Sequence, residues 1–287
     1  MKWVKYMLVN TKEMLLKAKK NKYAVPHFNI NNLEWTRFIL EECQKQNTDV
    51  ILGVSEGALK YMGGAKTVVG MVKGLIEELY ITIDVALHID HGQSFETCKR
   101  AIDAGFTSVM IDGSKLPIDE NIKQTKQVVE YAHARGVTVE AELGLVGGEE
   151  DGVANSLAFT NLKDCEYFLE RVDIDSLAPA LGSVHGLYKG EPKLDYKTMK
   201  EINDNIDVPL VLHGGSGIDD EKIQEAIRCG ISKININTEL QIAWSNAVRE
   251  FLDNDKTVYD PRKVIKSGEA AMKKRIDEKI ALFKSVN

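Results

Sequence analysis

The 287-residue sequence contains few cysteines, few prolines and no long apolar run. Its four cysteines are far apart and form no CxxC pair, which argues against a disulfide scaffold or a zinc knuckle. We expect them to be buried and reduced, as in a cytoplasmic protein. No apolar segment approaches the roughly 18 residues that a membrane span needs, and the N-terminal stretch lacks the pattern of a signal peptide. We therefore expect no membrane partner.

The sequence also lacks a surplus of basic residues. Lys and Arg together number 37, against 43 for Asp and Glu, so the formal net charge is −6. A general nucleic-acid-binding protein has a basic surplus, and we predict no nucleic-acid partner here. The apolar fraction of 44% is typical of a globular protein and excludes a disordered one.

Eight apolar, β-branched segments of strand length recur along the chain, with helical periodicity between them. Several are nearly continuous apolar runs, typical of parallel strands that are covered on both faces. This alternation predicts an α/β fold, a single (β/α)8 TIM barrel domain spanning 1–287. An open doubly wound sheet is the alternative, but no GxGxxG motif opens the first helix. The predicted strands are 24–29, 50–55, 84–90, 107–112, 137–143, 175–181, 208–214 and 232–238.

Two segments differ from this repeat. Residues 144–156 are the longest polar, glycine-containing stretch and are too long for an ordinary βα loop. We predict an active-site loop there, acting as a lid. Residues 259–287 predict a C-terminal helical tail that packs on the barrel or on a partner subunit.

Histidines collect near the ends of predicted strands. HIDHG ends the third strand, GSVHG follows the sixth, and VLHGGSG ends the seventh. The carboxyl ends of barrel strands form the active-site face, and a catalytic zinc typically has three protein ligands. The sequence therefore predicts a metal site at this face. Period-two alternation places His88 and Asp90 on one side of the third strand and His91 on the other, which leaves the choice of ligand open.

Carboxylates converge on the same rim. Asp90 and Asp112 end the third and fourth strands, and Glu140 and Glu142 share a face of the fifth. Acids at strand ends cost desolvation energy unless they are paired or bind a metal, so the alternatives are a lysine ion pair and a general acid/base beside a metal. Glu150 is a candidate mobile base, although a solvated acidic loop explains it as well.

Glycine-rich segments follow the last two predicted strands. HGGSG at 213–217 and NINTE at 235–239 place backbone N–H groups and hydroxyls where an anion can bind. Phosphate sites after strands seven and eight are frequent in barrels, although a lone GGSG also fits a tight turn. Lys189 and Arg262 are candidate cationic partners.

These motifs resemble those of the class II, zinc-dependent fructose-1,6-bisphosphate aldolases of the short-chain bacterial type. The resemblance implies a metal-dependent lyase that reversibly cleaves fructose 1,6-bisphosphate to dihydroxyacetone phosphate and glyceraldehyde 3-phosphate, in glycolysis and gluconeogenesis. It also implies a phosphorylated sugar as substrate and a homodimer or homotetramer. The matching motifs are AVPHFNINN, VILGVSEGALKYMGG, ALHIDHG, AGFTSVMIDGS, VEAELGLVGGEEDG, LAPALGSVHGLYKGEP, VPLVLHGGSGI, KININTE and YDPRK.

The resemblance further implies a metal set. Zn²⁺ would be bound by His91, His185 and His213. Asp112 and Glu142 would belong to a second or alternative metal position beside it. In this family a monovalent cation usually assists catalysis.

The resemblance also implies two proton-transfer groups and a phosphate pocket. Asp90 would accept the proton of the C4 hydroxyl during cleavage, and Glu150 would exchange the C3 proton of the dihydroxyacetone phosphate unit. Arg262 would reach in from a neighbouring subunit. The substrate and its phosphates would contact Asn29, Ser55, Gly186, Lys189, Gly214, Ser216, Asn235, Asn237, Thr238 and Arg262.

The resemblance leaves other activities open. Tagatose-1,6-bisphosphate aldolase is similar in its metal and phosphate loops. Relatives of that kind tend to have a small residue at the position of Asn237 and to lack the GGSG form that contains Gly215, so the resemblance favours fructose without excluding tagatose. Another zinc-dependent ketose-phosphate aldolase is a further alternative. A Schiff-base aldolase needs a lysine at a strand end, and the predicted sixth strand has none. A phosphosugar-binding scaffold without catalysis would keep the glycine loops but lose metal ligands or acids.

Overall fold

The computed structural model describes residues 8–150, 153–155, 158–186, 188 and 190–284. Within these residues, parallel strands close into an eight-stranded barrel in the order β1-β2-β3-β4-β5-β8-β10-β11, with β11 hydrogen-bonded to β1. The strands are β1 (Val25–Asn29), β2 (Val50–Ser55), β3 (Val85–Gly92), β4 (Ser108–Ile111), β5 (Thr138–Leu143), β6 (Gly147–Glu150), β7 (Val153–Asn155), β8 (Ser176–Pro179), β9 (Val184–His185), β10 (Leu210–Leu212) and β11 (Ile231–Ile236).

Helices surround the barrel, which confirms the predicted fold class. Each of the eight predicted strands overlaps one barrel strand. The helices are α1 (Lys12–Asn21), α2 (Leu33–Lys45), α3 (Glu56–Tyr61), α4 (Ala65–Glu78), α5 (Phe95–Ala104), α6 (Ile118–His133), α7 (Leu162–Leu169), α8 (Tyr196–Asn205), α9 (Asp220–Arg228), α10 (Thr238–Asn254), α11 (Pro261–Ser267) and α12 (Glu269–Lys284).

Apolar side chains fill two regions of this barrel. The larger core lies between the strands and the outer helices, where the outward-facing residues of each strand are buried. A smaller cluster lies at the amino end of the barrel, where Leu15 and Ala18 of α1 pack against Val25, Ile51 and Ala86. Helix α1 therefore closes that end, and the opposite rim is the accessible face.

The stretch predicted as a loop contains two short strands. Strands β6 and β7 form an antiparallel hairpin, and β6 also pairs in parallel with β9. The hairpin is thus hydrogen-bonded to the strand that carries His185. Whether it acts as a lid stays a prediction.

The C-terminal segment forms α11 and α12, and α12 packs against α2, α9, α10 and β1. The last helix therefore covers the seam at which the first and last barrel strands meet. Across the part of the chain that is described, no helix combines the length and the apolar character that a membrane crossing requires.

Candidate metal centre and phosphate pocket

Three histidines from three strand ends meet at the accessible rim. His91 belongs to β3, His185 to β9, and His213 follows β10. The ring centroids lie 4.6 Å apart for His91 and His213, 4.9 Å for His91 and His185, and 5.7 Å for His185 and His213. One nitrogen of each ring lies within 4.8 Å of the others. The arrangement can therefore supply three ligands to one metal ion.

A local irregularity of β3 brings both Asp90 and His91 to this rim. The register with β4 shifts between Ile89 and Gly92, and His91 has a φ of 51°, in the left-handed region. This bulge breaks the period-two alternation, which would direct the two side chains to opposite faces. The ambiguity in the sequence pattern is therefore resolved by backbone geometry.

Two carboxylates fix the tautomers of His91 and His213. His91 donates its Nδ1–H to Asp112 at 3.0 Å, and His213 donates its Nε2–H to Glu140 at 2.9 Å. A neutral imidazole has one N–H, so His91 Nε2 and His213 Nδ1 carry lone pairs. These two nitrogens face each other at 2.9 Å. Facing lone pairs repel unless a cation binds both, so the donor set fits a metal ion.

Asp112 and Glu142 form a second group of oxygen donors around His91. Burial opposes ionisation of Asp112, but hydrogen bonds from His91 and Ser114 outweigh it and hold the pKa of Asp112 well below its usual range. Burial, with the nearby Asp112 charge, raises the pKa of Glu142 to about 8. Glu142 Oε2 is buried and accepts no hydrogen bond from the described residues. A cation here would stabilise the ionised carboxylate.

Asp90 lies beside the histidines with its carboxylate held by two amides. Asn29 donates to Oδ2 at 2.9 Å, and Asn235 donates to Oδ1 at 3.4 Å. Strand register contributes to the contact with Asn29, because Asn29 pairs with Gly53 of β2 and Gly53 pairs with His88, two residues before Asp90 in β3. The carboxylate is 1% exposed yet lines a cavity.

That cavity, of about 200 Å³, brings together most of the predicted substrate-binding residues. Gly214 has a φ of 64°, and a Cβ there would lie 2.2 Å from the carbonyl oxygen of Val184, so glycine is required. Ser216 Oγ accepts hydrogen bonds from the backbone N–H groups of Asn237 and Glu239 at the start of α10. The cavity is lined by Asn29, Ser55, Asp90, His185, Gly186, Gly214, Ser216, Asn235, Asn237 and Thr238, together with Asn31, Ala58 and Gln241.

Three predicted site residues are seen neither in the possible metal groups nor in the lining of the cavity. Lys189 lies outside the described residues. Glu150 ends β6, but its side chain is likewise outside them. Arg262 lies in the first turn of α11, has an 89% exposed side chain and pairs with Asp260 at 2.8 Å. Their roles stay predictions.

Comparisons with known proteins show the family of this chain. Residues 9–287 match the family described as fructose-bisphosphate aldolase class-II. The chain belongs to this family. It is 60% identical over 279 residues to the fructose-bisphosphate aldolase of Geobacillus stearothermophilus, covering 97% of each chain. It is 58% identical over 281 residues to the fructose-bisphosphate aldolase of Staphylococcus aureus strain Mu50, covering 98% of each.

Solved structures of related aldolases share the fold. The YdjI aldolase from Escherichia coli K12 superposes with a TM-score of 0.85 at 34% identity, covering 98% of this chain and 99% of that one. Fructose-bisphosphate aldolase from Campylobacter jejuni superposes with a TM-score of 0.82 at 27% identity, covering 98% and 96%. This class II aldolase chain therefore has the expected barrel and the expected enzyme class.

Inside the barrel, the aldolase chain also has a buried ion pair: a lysine partner was one alternative for Glu140, but sequence reasoning did not identify Lys233 as that lysine. Lys233 Nζ lies 2.8 and 3.0 Å from the two carboxylate oxygens of Glu140, and both side chains are fully buried. Burial alone would raise the pKa of Glu140, but the Lys233 ammonium and the His213 hydrogen bond hold it well below its usual range. The sequence signal for this ion pair is the lone lysine inside the apolar strand ISKINI.

Two further histidines lie in the barrel interior below Asp90. His27 and His88 are fully buried, and burial together with the Lys233 charge lowers the pKa of both well below their usual range. A Cβ on Gly53 would lie 1.7 Å from His27 Nε2, so β2 needs glycine where the His27 ring crosses it. These neutral rings place polar nitrogen atoms in the barrel interior next to Asp90, where His27 Nε2 lies 3.6 Å from Asp90 Oδ2.

Proposed function

We propose that this class II aldolase reversibly cleaves fructose 1,6-bisphosphate to dihydroxyacetone phosphate and glyceraldehyde 3-phosphate. One observation carries the proposal: His91, His185 and His213 converge on a single point, beside Asp90 and a glycine-lined cavity. Retro-aldol cleavage needs an electrophile at the carbonyl, a base at the hydroxyl and an anchor for phosphate. Residues at the rim would supply all three.

The three histidines would bind Zn²⁺, because the metal accepts three neutral imidazoles and keeps an open position. When bound, the ion supplies Lewis-acid polarisation of the substrate's carbonyl. Glu140 and Asp112 orient the rings by accepting the outward N–H groups of His213 and His91. Asp112 and Glu142 would provide the second or alternative metal position.

Asp90 would accept the proton of the C4 hydroxyl in cleavage and return it in synthesis. The amide groups of Asn29 and Asn235 hold the two oxygens of its carboxylate, so the base keeps one orientation at the cavity wall. The burial of Asp90 excludes bulk water from this proton transfer. Glu150 would exchange the C3 proton.

The phosphate nearest the ketone would lie between the loop after β10 and the start of α10. Gly214 and Ser216 present backbone and hydroxyl groups there, and the positive end of the 17-residue α10 favours an anion. Gly186, Lys189, Asn235 and Thr238 would complete this side. The other phosphate would lie near Asn29 and Ser55, with Arg262 as its cationic partner.

An oligomer would complete the proposal. We propose a homodimer or homotetramer in which Arg262 reaches the active site of a neighbouring subunit. We also propose that a monovalent cation assists catalysis. Sedimentation with and without substrate measures the assembly. A monomer with full activity would contradict the role of Arg262.

The decisive test couples cleavage to reduction of dihydroxyacetone phosphate and compares kcat/KM for fructose and tagatose 1,6-bisphosphates, measured separately because both sugars release the same products. We expect fructose to be preferred, and activity to disappear after exhaustive chelation and return with Zn²⁺. Activity that survives chelation, with trapping by borohydride, would indicate a Schiff-base aldolase. Binding of both sugars without cleavage would indicate a scaffold.

A further inference from the structure

Lys279 is a buried cation that the proposed chemistry does not use. It belongs to α12, and its side chain is 5% exposed. Burying an ammonium group is costly unless it is paired. Its partner is Glu239 Oε1 at 3.1 Å, in the first turn of α10.

Glu239 in turn contacts the loop proposed to bind phosphate. Its Oε1 accepts a hydrogen bond from the backbone N–H of Gly217 at 2.7 Å, and its own backbone N–H donates to Ser216 Oγ at 3.3 Å. The side chain is 16% exposed. A carboxylate therefore stabilises the loop, but it also places a negative charge beside a site for a phosphate dianion.

Other charges near this pair compensate less well than Lys279. Arg275 Nε lies 3.9 Å from Glu239 Oε2 and is 44% exposed, so solvent screens it. Asp220, 77% exposed, lies 3.9 Å from Lys279 and adds a screened negative charge. Lys279 is the buried cation in direct contact with Glu239.

We infer that Lys279 is a positioning residue for the phosphate site: by neutralising Glu239, it lets this carboxylate stabilise the Gly217 turn without repelling the substrate's phosphate. The inference rests on the proposed function, because it assumes that phosphate binds at this loop. It assigns the C-terminal helix a part in substrate affinity without contact with the substrate.

The test measures the inhibition constant of inorganic phosphate and the KM for fructose 1,6-bisphosphate in the zinc-loaded enzyme. In Lys279→Met the unpaired carboxylate repels phosphate, and we expect both constants to rise roughly tenfold while kcat changes less than about twofold. In the double variant Lys279→Met/Glu239→Gln the repulsion is gone, and both constants return to near wild type. Lys274→Met, an exposed position of the same helix, is the matched control and should change neither.

Three outcomes overturn the inference. Unchanged constants in Lys279→Met would show that the charge has no effect on the site. A loss that the double variant does not restore would indicate a packing role for Lys279. Failure of phosphate to inhibit the wild-type enzyme would contradict the proposed phosphate pocket. This outcome concerns the proposed function, whereas the first two concern only the role of Lys279.

Discussion

At the scale of single residues, Asp90 and His91 are neighbours with different proposed tasks. Asp90 is held by amides, whereas His91 is held by a carboxylate that fixes its tautomer. We expect Asp90→Ala to keep stoichiometric zinc and to lose roughly 10²–10⁴ in kcat, the usual contribution of acid/base catalysis. His185→Ala should lose both zinc and turnover. Metal analysis beside the coupled assay checks both, and equal metal loss would show that base and ligand are confused.

Because the pKa of Glu142 is raised, we predict that the stability of the metal-free protein depends on pH. Its pKa is raised to about 8 from an ordinary value near 4.5, so between these values the folded protein binds more protons than the unfolded one. The free energy of unfolding therefore falls as pH rises through this window. Glu142→Gln should remove this dependence and stabilise the metal-free protein at pH 8 by about 2–4 kcal/mol. Urea unfolding with a chelator measures it, and parallel pH curves for both proteins would refute it.

The site residues that sequence could indicate are those with a local signal. His213 follows an apolar run and precedes glycine, and Asp90 follows an apolar run and precedes His91. Each of these patterns lies within one short segment of the sequence. The pairing of Lys233 with Glu140 joins residues 93 positions apart across the barrel. The lone lysine in ISKINI indicates a buried partner, but no local pattern identifies Glu140 as that partner, so the contact required the structure.

At the scale of elements, the short pairing between β6 and β9 connects the hairpin to a metal ligand. Gly148 has a φ of 93°, and a Cβ there would lie 2.2 Å from the carbonyl oxygen of His185. Gly148→Ala should displace β9 and lower zinc affinity roughly 10–100-fold, the usual effect of disturbing a ligand's support. Competition with a chromogenic chelator measures this.

A matched control separates backbone strain from displacement of the ligand. Gly136 has a similar φ of 71°, but a Cβ there would meet no atom within 4 Å. Gly136→Ala should lose about 1 kcal/mol of stability and keep its zinc affinity. Equal loss of affinity in the two variants would contradict the proposed coupling.

Element prediction succeeded for strands within apolar runs and failed for short strands that lie outside such runs. The eight barrel strands are apolar enough to be recognised. Strands β6 and β7 have four and three residues in a polar, glycine-containing stretch, and β9 has two. Their pairing depends on contacts between distant segments, so the sequence indicated a loop.

At the scale of the whole molecule, the Glu140–Lys233 pair joins β5 to β11 through the barrel interior. Lys233→Met leaves a buried carboxylate without its cation, and we expect a loss of about 3–5 kcal/mol in the free energy of unfolding. Lys200→Met, which removes one partner of the exposed ion pair with Asp204, should leave the unfolding midpoint nearly unchanged. Denaturant unfolding of both variants checks the difference, and similar midpoints would contradict it.

The overall architecture followed from repetition in the sequence. Eight strand signals separated by helical segments leave few arrangements, because parallel strands need covering on both faces and crossovers are right-handed. The closed β1–β11 pairing completes that repeat. The barrel was therefore predictable as a class, whereas the closure of its amino end by α1 was not.

The contact between the first and last barrel strands affects how the protein is made. Strand β1 cannot complete its hydrogen bonding until β11 exists, and α12 must follow before the seam is covered. During synthesis on the ribosome, the growing chain therefore has an open sheet edge for most of its translation. Chaperone capture of the nascent protein should persist until β11 and α12 have both left the exit tunnel.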